Sequence, residues 1–267
     1  MTVIKHKHTG DVLLRLAGDS LEHEDLTDAV LVGADLHSAR LRAAILDGAD
    51  LREADLSQAD LSHTDMRGVQ LAGADLTRAM LEYANLHGGQ LRGATLASAV
   101  LTGARLRRAD LSVAKAREAN FMNADLRGAN MIGTDLGSAN LFWANLATAN
   151  LRTAILVGAY LQGTILEEAV LTGASLTGAR LERAELRLAK AADTNLNDAS
   201  LVRADLFSSD LRGARLRRAN LSGASLAATD LRGADLSNAN LEGARYDGRT
   251  RWPEGLDPST RGAKRVK

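Results

Sequence analysis

The chain has 267 residues, 45% of them apolar and 25% charged, which is the composition of a globular protein with a sizeable core. Its 33 basic and 33 acidic side chains cancel, arguing against a blanket attraction to nucleic acid or to an anionic membrane. The absence of cysteine excludes a disulfide framework, a zinc–thiolate centre and a thiol nucleophile.

No basic leader followed by an apolar run opens the sequence, and no apolar stretch approaches the roughly 18 residues of a membrane span, so a cytoplasmic location is expected. Charge is spread unevenly. Residues 1–100 hold 9 Lys/Arg against 15 Asp/Glu, residues 101–200 hold 11 against 10, and residues 201–267 hold 13 against 8. A chain advancing steadily along one axis would therefore have an acidic end and a basic end.

Residues 2–16, "TVIKHKHTGDVLLRL", contain two strand-like runs around a Thr9-Gly10 turn signal and predict a hairpin. His6 and His8 share one face of its first strand, but no third ligand accompanies them, so solvent-facing histidines are expected there and no metal site.

From Leu21 to Tyr246 every fifth residue falls in one column. Of its 46 positions 40 are Leu, the others being Met66, Ala116, Phe121, Met131, Ala191 and Tyr246. Two residues earlier, from Ala29 to Ala244, 36 of 44 positions are Ala and five are Thr. Five is the period of neither a helix nor a strand. Ala two residues before Leu puts both on the same side of an extended piece. Of the 24 glycines, 18 lie two residues after the Leu column, where the third residue of a type II turn needs a positive φ. Each pentapeptide thus predicts a short extended side followed by a corner, and equal sides with equal corners coil into a solenoid. Ala116 is undersized for its column and the next centre, Phe121, oversized, which predicts local compensation.

The tandem "A-D/N-L-x-x", present as "ADLREADLSQADLSHTD" and "ANLFWANLATANL", resembles the pentapeptide-repeat family over residues 19–246. That resemblance implies an all-β fold, a right-handed quadrilateral (four-sided) β-helix with Leu or Phe at each inward centre. Ala two residues earlier also points inward, and the other three residues point outward. Coils of 20 residues give about 11 coils, and at ~4.8 Å per coil a rod on the order of 50–55 Å.

An open solenoid end needs a cap, so residues 1–18 are expected to form an N-terminal capping hairpin and residues 247–267 a C-terminal cap and basic tail. Within the latter, "TRWPEGLDP" resembles the W-P-E-G-F-D-P tail of many arrays of this family, with Leu256 in place of Phe. Trp252 is expected over the last coil, and "RGAKRVK" as a mobile tail.

Counting in twenties brings Asp35, Asp55 and Asp75 above one another; the repeat's preference for Asp or Asn before Leu accounts for them better than a cation site or an acid–base pair. The arginines 105, 107 and 108, and 215, 217 and 218, read as solvated faces with acids close by. No catalytic residue, cofactor or metal site is indicated, and the chain is expected not to be an enzyme. The apolar residues Met80, Tyr83, Val100, Met122, Phe142, Trp143 and Tyr160 gather on one outward side and form the candidate protein-interaction patch.

The expected function is a non-enzymatic scaffold for a protein partner or for self-association, with no small-molecule substrate, nucleic acid or membrane. As an alternative, the resemblance implies a mimic of duplex DNA that binds and protects a type II topoisomerase, DNA gyrase. The neutral net charge, the basic C-terminal third and the absence of interrupting loops or a C-terminal helix argue against it.

Overall fold

The computed structural model describes residues 1–266. Its regular elements are β1 (Thr2–His6), β2 (Val12–Leu16), β3 (Ala34–Asp35), β4 (Arg245–Tyr246), a 3-10 helix over Pro258–Arg261 and β5 (Lys264–Arg265). Between β3 and β4 the strands shrink to single-residue parallel bridges, each joining a residue to the one twenty positions on, as in Asp55↔Asp75 and Glu185↔Asp205. Four pentapeptides therefore make one coil, the four-sided β-helix that the repeat implies. No helix among the described residues is long and apolar enough to cross a membrane.

The backbone explains the period. The N–H of a central Leu donates to the next coil, as from Leu31 to the Asp50 carbonyl (2.7 Å). The residue before the centre donates back, as from Asp50 to the Ala29 carbonyl (2.9 Å). The corner residue donates forward, Gly33 to Arg52 (2.8 Å), and the following Ala closes its turn on the centre, Ala34 to Leu31 (3.0 Å). One amide per pentapeptide remains, that of the residue after the centre, and an Asp or Asn before the centre accepts it: Asp75 Oδ1 takes the Thr77 N–H at 2.9 Å, Asn220 Oδ1 the Ser222 N–H at 3.1 Å. The recurring Asp or Asn thus completes the amide hydrogen bonds of the repeat, an Asx turn that recurs along the array.

The chain divides into two compact units, Met1–Asp135 and Leu136–Lys267. In the first, β1 pairs antiparallel with β2 and with β3, an order of β2-β1-β3, and Ile4 is buried. The central column is fully buried in its interior, including Phe121 beside Ala116. In the second, buried threonines replace alanine at 164, 194 and 229, and each hydroxyl donates to a Leu carbonyl one coil back, for example Thr164 to Leu141 at 2.9 Å. Arg251 takes the place of the next strand, bridging Asp230, and Trp252 packs edge-on against Tyr246 at 5.4 Å. The segment expected as a mobile tail differs. Asp257 caps the 3-10 helix, Gly262 ends it at φ 81°, and Lys264–Arg265 then pairs in parallel with β4. Backbone hydrogen bonds from Lys264 to Ala244 (2.7 Å) and from Val266 to Tyr246 (2.8 Å) fix it. Lys267, the last residue of that tail, lies outside the described residues.

Candidate interaction surfaces

The seven residues of the predicted apolar patch fall in both units. In the first unit, Met80 bridges Val100 on the following coil, and Met122 stands one coil further along the same side. Met80 and Tyr83 are exposed, whereas Val100 and Met122 are half-buried. Tyr83 occupies a left-handed corner at φ 57°, and its ring stacks on His63 at 5.2 Å and 19°. On its other side it fills the space above Gly103, where a Cβ would stand 2.7 Å from Cε1.

The second unit repeats this device. Trp143, also at φ 57°, projects 55% exposed from its corner. Its indole fills the space above Gly163, where a Cβ would meet Cε3 at 2.7 Å. Phe142, 37% exposed, stands edge-on to it at 5.6 Å. Tyr160 bridges Asn140, and the Arg180 guanidinium lies 5.0 Å over its ring. Beyond Phe142 in the same outward column come Gln162 and Glu182, whose Oε1 and Oε2 are buried without a donor. Sequence reading missed that pair; its only sequence signal is the twenty-residue offset from Phe142. Exposed Ile155, Val157 and Leu188 were missed as well.

The polar candidates resolve into local structure. Asp35, Asp55 and Asp75 are bridged one above another, and each accepts the N–H two residues on, at 3.3, 3.0 and 2.9 Å. Burial pushes the Asp55 carboxyl up, but the Ser57 hydroxyl and amide prevail and hold it below the usual range. His6 Nδ1 accepts the amides of His8 and Thr9 at 3.3 and 3.2 Å, so this nitrogen serves the turn. Arg107 pairs with Asp125 at 2.5 Å, Arg218 with Asp198 at 2.6 Å and Arg217 with Asp235 at 3.6 Å. Arg105 lines a groove of about 430 Å³ with Arg67, His87 and Asp125.

The pentapeptide-repeats family model matches the chain in overlapping stretches from residues 20–58 to 209–245. Among solved structures, HetL of the cyanobacterium Nostoc sp. strain PCC 7120, a pentapeptide repeat protein involved in heterocyst differentiation regulation, is 31% identical, over 85% of this chain and 89% of that one, with a TM-score of 0.34. QnrB1, a plasmid-mediated fluoroquinolone resistance protein, is 18% identical over 74% and 90%, with a TM-score of 0.33. A pentapeptide repeat protein of the Arabidopsis thaliana thylakoid lumen is 38% identical over 35% and 68%, with a TM-score of 0.19. The comparison with curated proteins gives no match. A central Leu every five residues, Ala two before it, the twenty-residue bridge spacing and the family match lead to one conclusion: the chain belongs to the pentapeptide-repeat family, whose fold is the right-handed quadrilateral β-helix.

Proposed function

We propose that the chain is a non-enzymatic interaction module that offers rigid outward side chains to a protein partner, with Phe142, Trp143 and Tyr160 as its anchor and Met80 and Tyr83 as a second apolar site. The carrying observation is the seat of Trp143 above Gly163: a large exposed aromatic is held in place before any partner arrives. Ordering a free side chain costs about 0.5–1.5 kcal/mol at an interface, and a ring already braced by Phe142 and a glycine notch avoids most of that cost. Buried aromatics of this kind dominate interface energetics. The apolar choice also carries a local cost, which supports selection for it. Met80, Val100 and Tyr160 stand where Asp or Asn would accept an amide hydrogen bond, and their side chains accept none.

The seat gives a positional test. Partner capture from the cell of origin by the wild type is expected to fail with Phe142→Ser/Trp143→Arg, and equally with Gly163→Ala, which evicts the indole without touching it. Ala43 and Ala228 already occupy the same corner at φ 57°, so alanine is compatible with the coil. An unchanged set of captured proteins in both variants would overturn the proposal, and light scattering on the same three samples separates a foreign partner from a second copy.

A further inference from the structure

One side of the first unit carries positive charge that its own acids do not neutralise. On four consecutive coils the residues before the centre are Asp65, Asn85, Arg105 and Asp125, bridged one above another, and those after it are Arg67, His87, Arg107 and Arg127. The carboxylates stand at the two ends of this block and are taken there. Asp65 and Asp47 hold Arg67 at 2.9 and 2.8 Å, and Asp125 holds Arg107 at 2.5 Å and Arg127 at 2.7 Å. In the middle no acid stands, since position 85 is Asn and position 105 is Arg. Asn85 donates to Asp65 Oδ1 at 3.2 Å and accepts the His87 amide at 3.4 Å, so its side chain is spent on the array.

Arg105, the adjoining corner residue Arg108 and the His87 ring are left without an acidic partner among the described residues. Acids on the flanking sides are engaged elsewhere: Glu82 accepts the Ser62 hydroxyl at 3.0 Å, and Asp110 accepts the Ser112 amide and the Asn130 side-chain amide, both at 2.9 Å. Arg107 meets Asp125 through Nε, and its terminal nitrogens bond to no acid among the described residues. The block is concave. Its groove of about 430 Å³ falls within the size range of small-ligand sites. The corners at Gly68 and Gly88 leave it open, for an added Cβ there would meet nothing within 4 Å.

We propose that this groove binds a phosphomonoester, its phosphate seated on Arg105 with Arg107 and His87 beside it. Guanidinium groups meet phosphate oxygens through paired, parallel hydrogen bonds, and Arg105 is free to do so because no carboxylate competes for it. A phosphomonoester is close to a dianion at neutral pH, which answers more than one uncompensated cation, as a single carboxylate does not. The phosphate can be carried by a small metabolite or by a phosphorylated side chain of a protein, and the groove's chemistry is the same for both. The inference uses neither Phe142 nor Trp143 and stands or falls separately from the proposal above.

Isothermal titration calorimetry on the full chain at constant ionic strength tests it, with inorganic phosphate, O-phosphoserine and serine as probes. Saturable binding is expected for the first two and none for serine. Arg105→Gln is expected to weaken both about tenfold or more, the scale of one charge-assisted hydrogen bond. Asn85→Asp should do the same without removing a guanidinium, because it sets a carboxylate beside Arg105 at a position where the repeat elsewhere carries Asp. Arg183→Gln, at an exposed arginine of the second unit, is the control and should bind as the wild type does. Circular dichroism melts establish that all three variants fold. A phosphoserine peptide that binds more tightly than O-phosphoserine assigns the ligand to a protein, and one that binds no more tightly assigns it to a small phosphomonoester. A wild type without saturable phosphate binding, or an equal loss in Arg105→Gln and Arg183→Gln, would overturn the inference.

Discussion

At the scale of the residue, a left-handed corner closes each pentapeptide, and in 28 of these corners the residue is not glycine. Most of the chain's glycines lie at this position, yet the other corners adopt the same positive φ, because hydrogen bonds on both sides of the corner hold it whatever the side chain. The strain costs on the order of 1 kcal/mol per corner, and more for a β-branched residue. Val113, at φ 51° and exposed, is the least suited of them. Val113→Asn is expected to raise stability by about 0.5–1 kcal/mol, since asparagine tolerates the left-handed region, and a urea midpoint measures it. At this scale the sequence was legible for the core and blind at the surface. Leu and Ala columns state their burial outright, but the seat of Trp143 above Gly163 emerges only when residues twenty apart are set side by side, and Val100, read as outward, is half-buried.

At the scale of the coil, stability rests on stacked leucines rather than on any one contact. Leu161 is fully buried, so Leu161→Ala is expected to cost roughly 2–5 kcal/mol by opening a cavity that its neighbours cannot collapse. Thr164, beside it in the same coil, is a different case. Its hydroxyl satisfies a second lone pair of the Leu141 carbonyl, which already accepts the Ala144 amide, so Thr164→Val should cost only about 1 kcal/mol. Thermal melts of the two variants check the ranking. The N-terminal hairpin was legible from its alternating runs and its turn, and Gly10 does sit at φ 74°. The end of the chain was not. No periodicity announces the strand Lys264–Arg265, which forms because the array's last coil offers it an edge, a reason that lies outside its own sequence.

At the scale of the whole chain, 33 basic residues balance 33 acidic ones, and part of that charge is paired locally. Asp50, Asp210 and Asp230 each receive the guanidinium of the arginine two residues on, which holds their carboxyls below the usual range. Asp247 is lowered furthest, first by the Ala228 amide and then by Arg249. A carboxyl whose folded pKa lies below its unfolded value near 4 stabilises the fold above that value, and the contribution is lost as pH falls through the folded value. The urea midpoint is therefore expected to be flat from pH 7 to 5 and to drop below about pH 4. Asp247→Asn keeps the acceptor but not the charge, so its midpoint should fall less between those limits; an equal fall would assign the acid sensitivity elsewhere.

The twenty-residue coil also governs how the gene can change. Removing one pentapeptide leaves core and hydrogen bonds intact but moves each later residue of that unit to the next side, so that corners paired for shape, such as Tyr83 with Gly103, lose their match. Removing four together returns every side to its place. Duplication and loss in whole coils are thus silent to a surface that single repeats would scramble, and a lineage can lengthen this protein while keeping what its faces display.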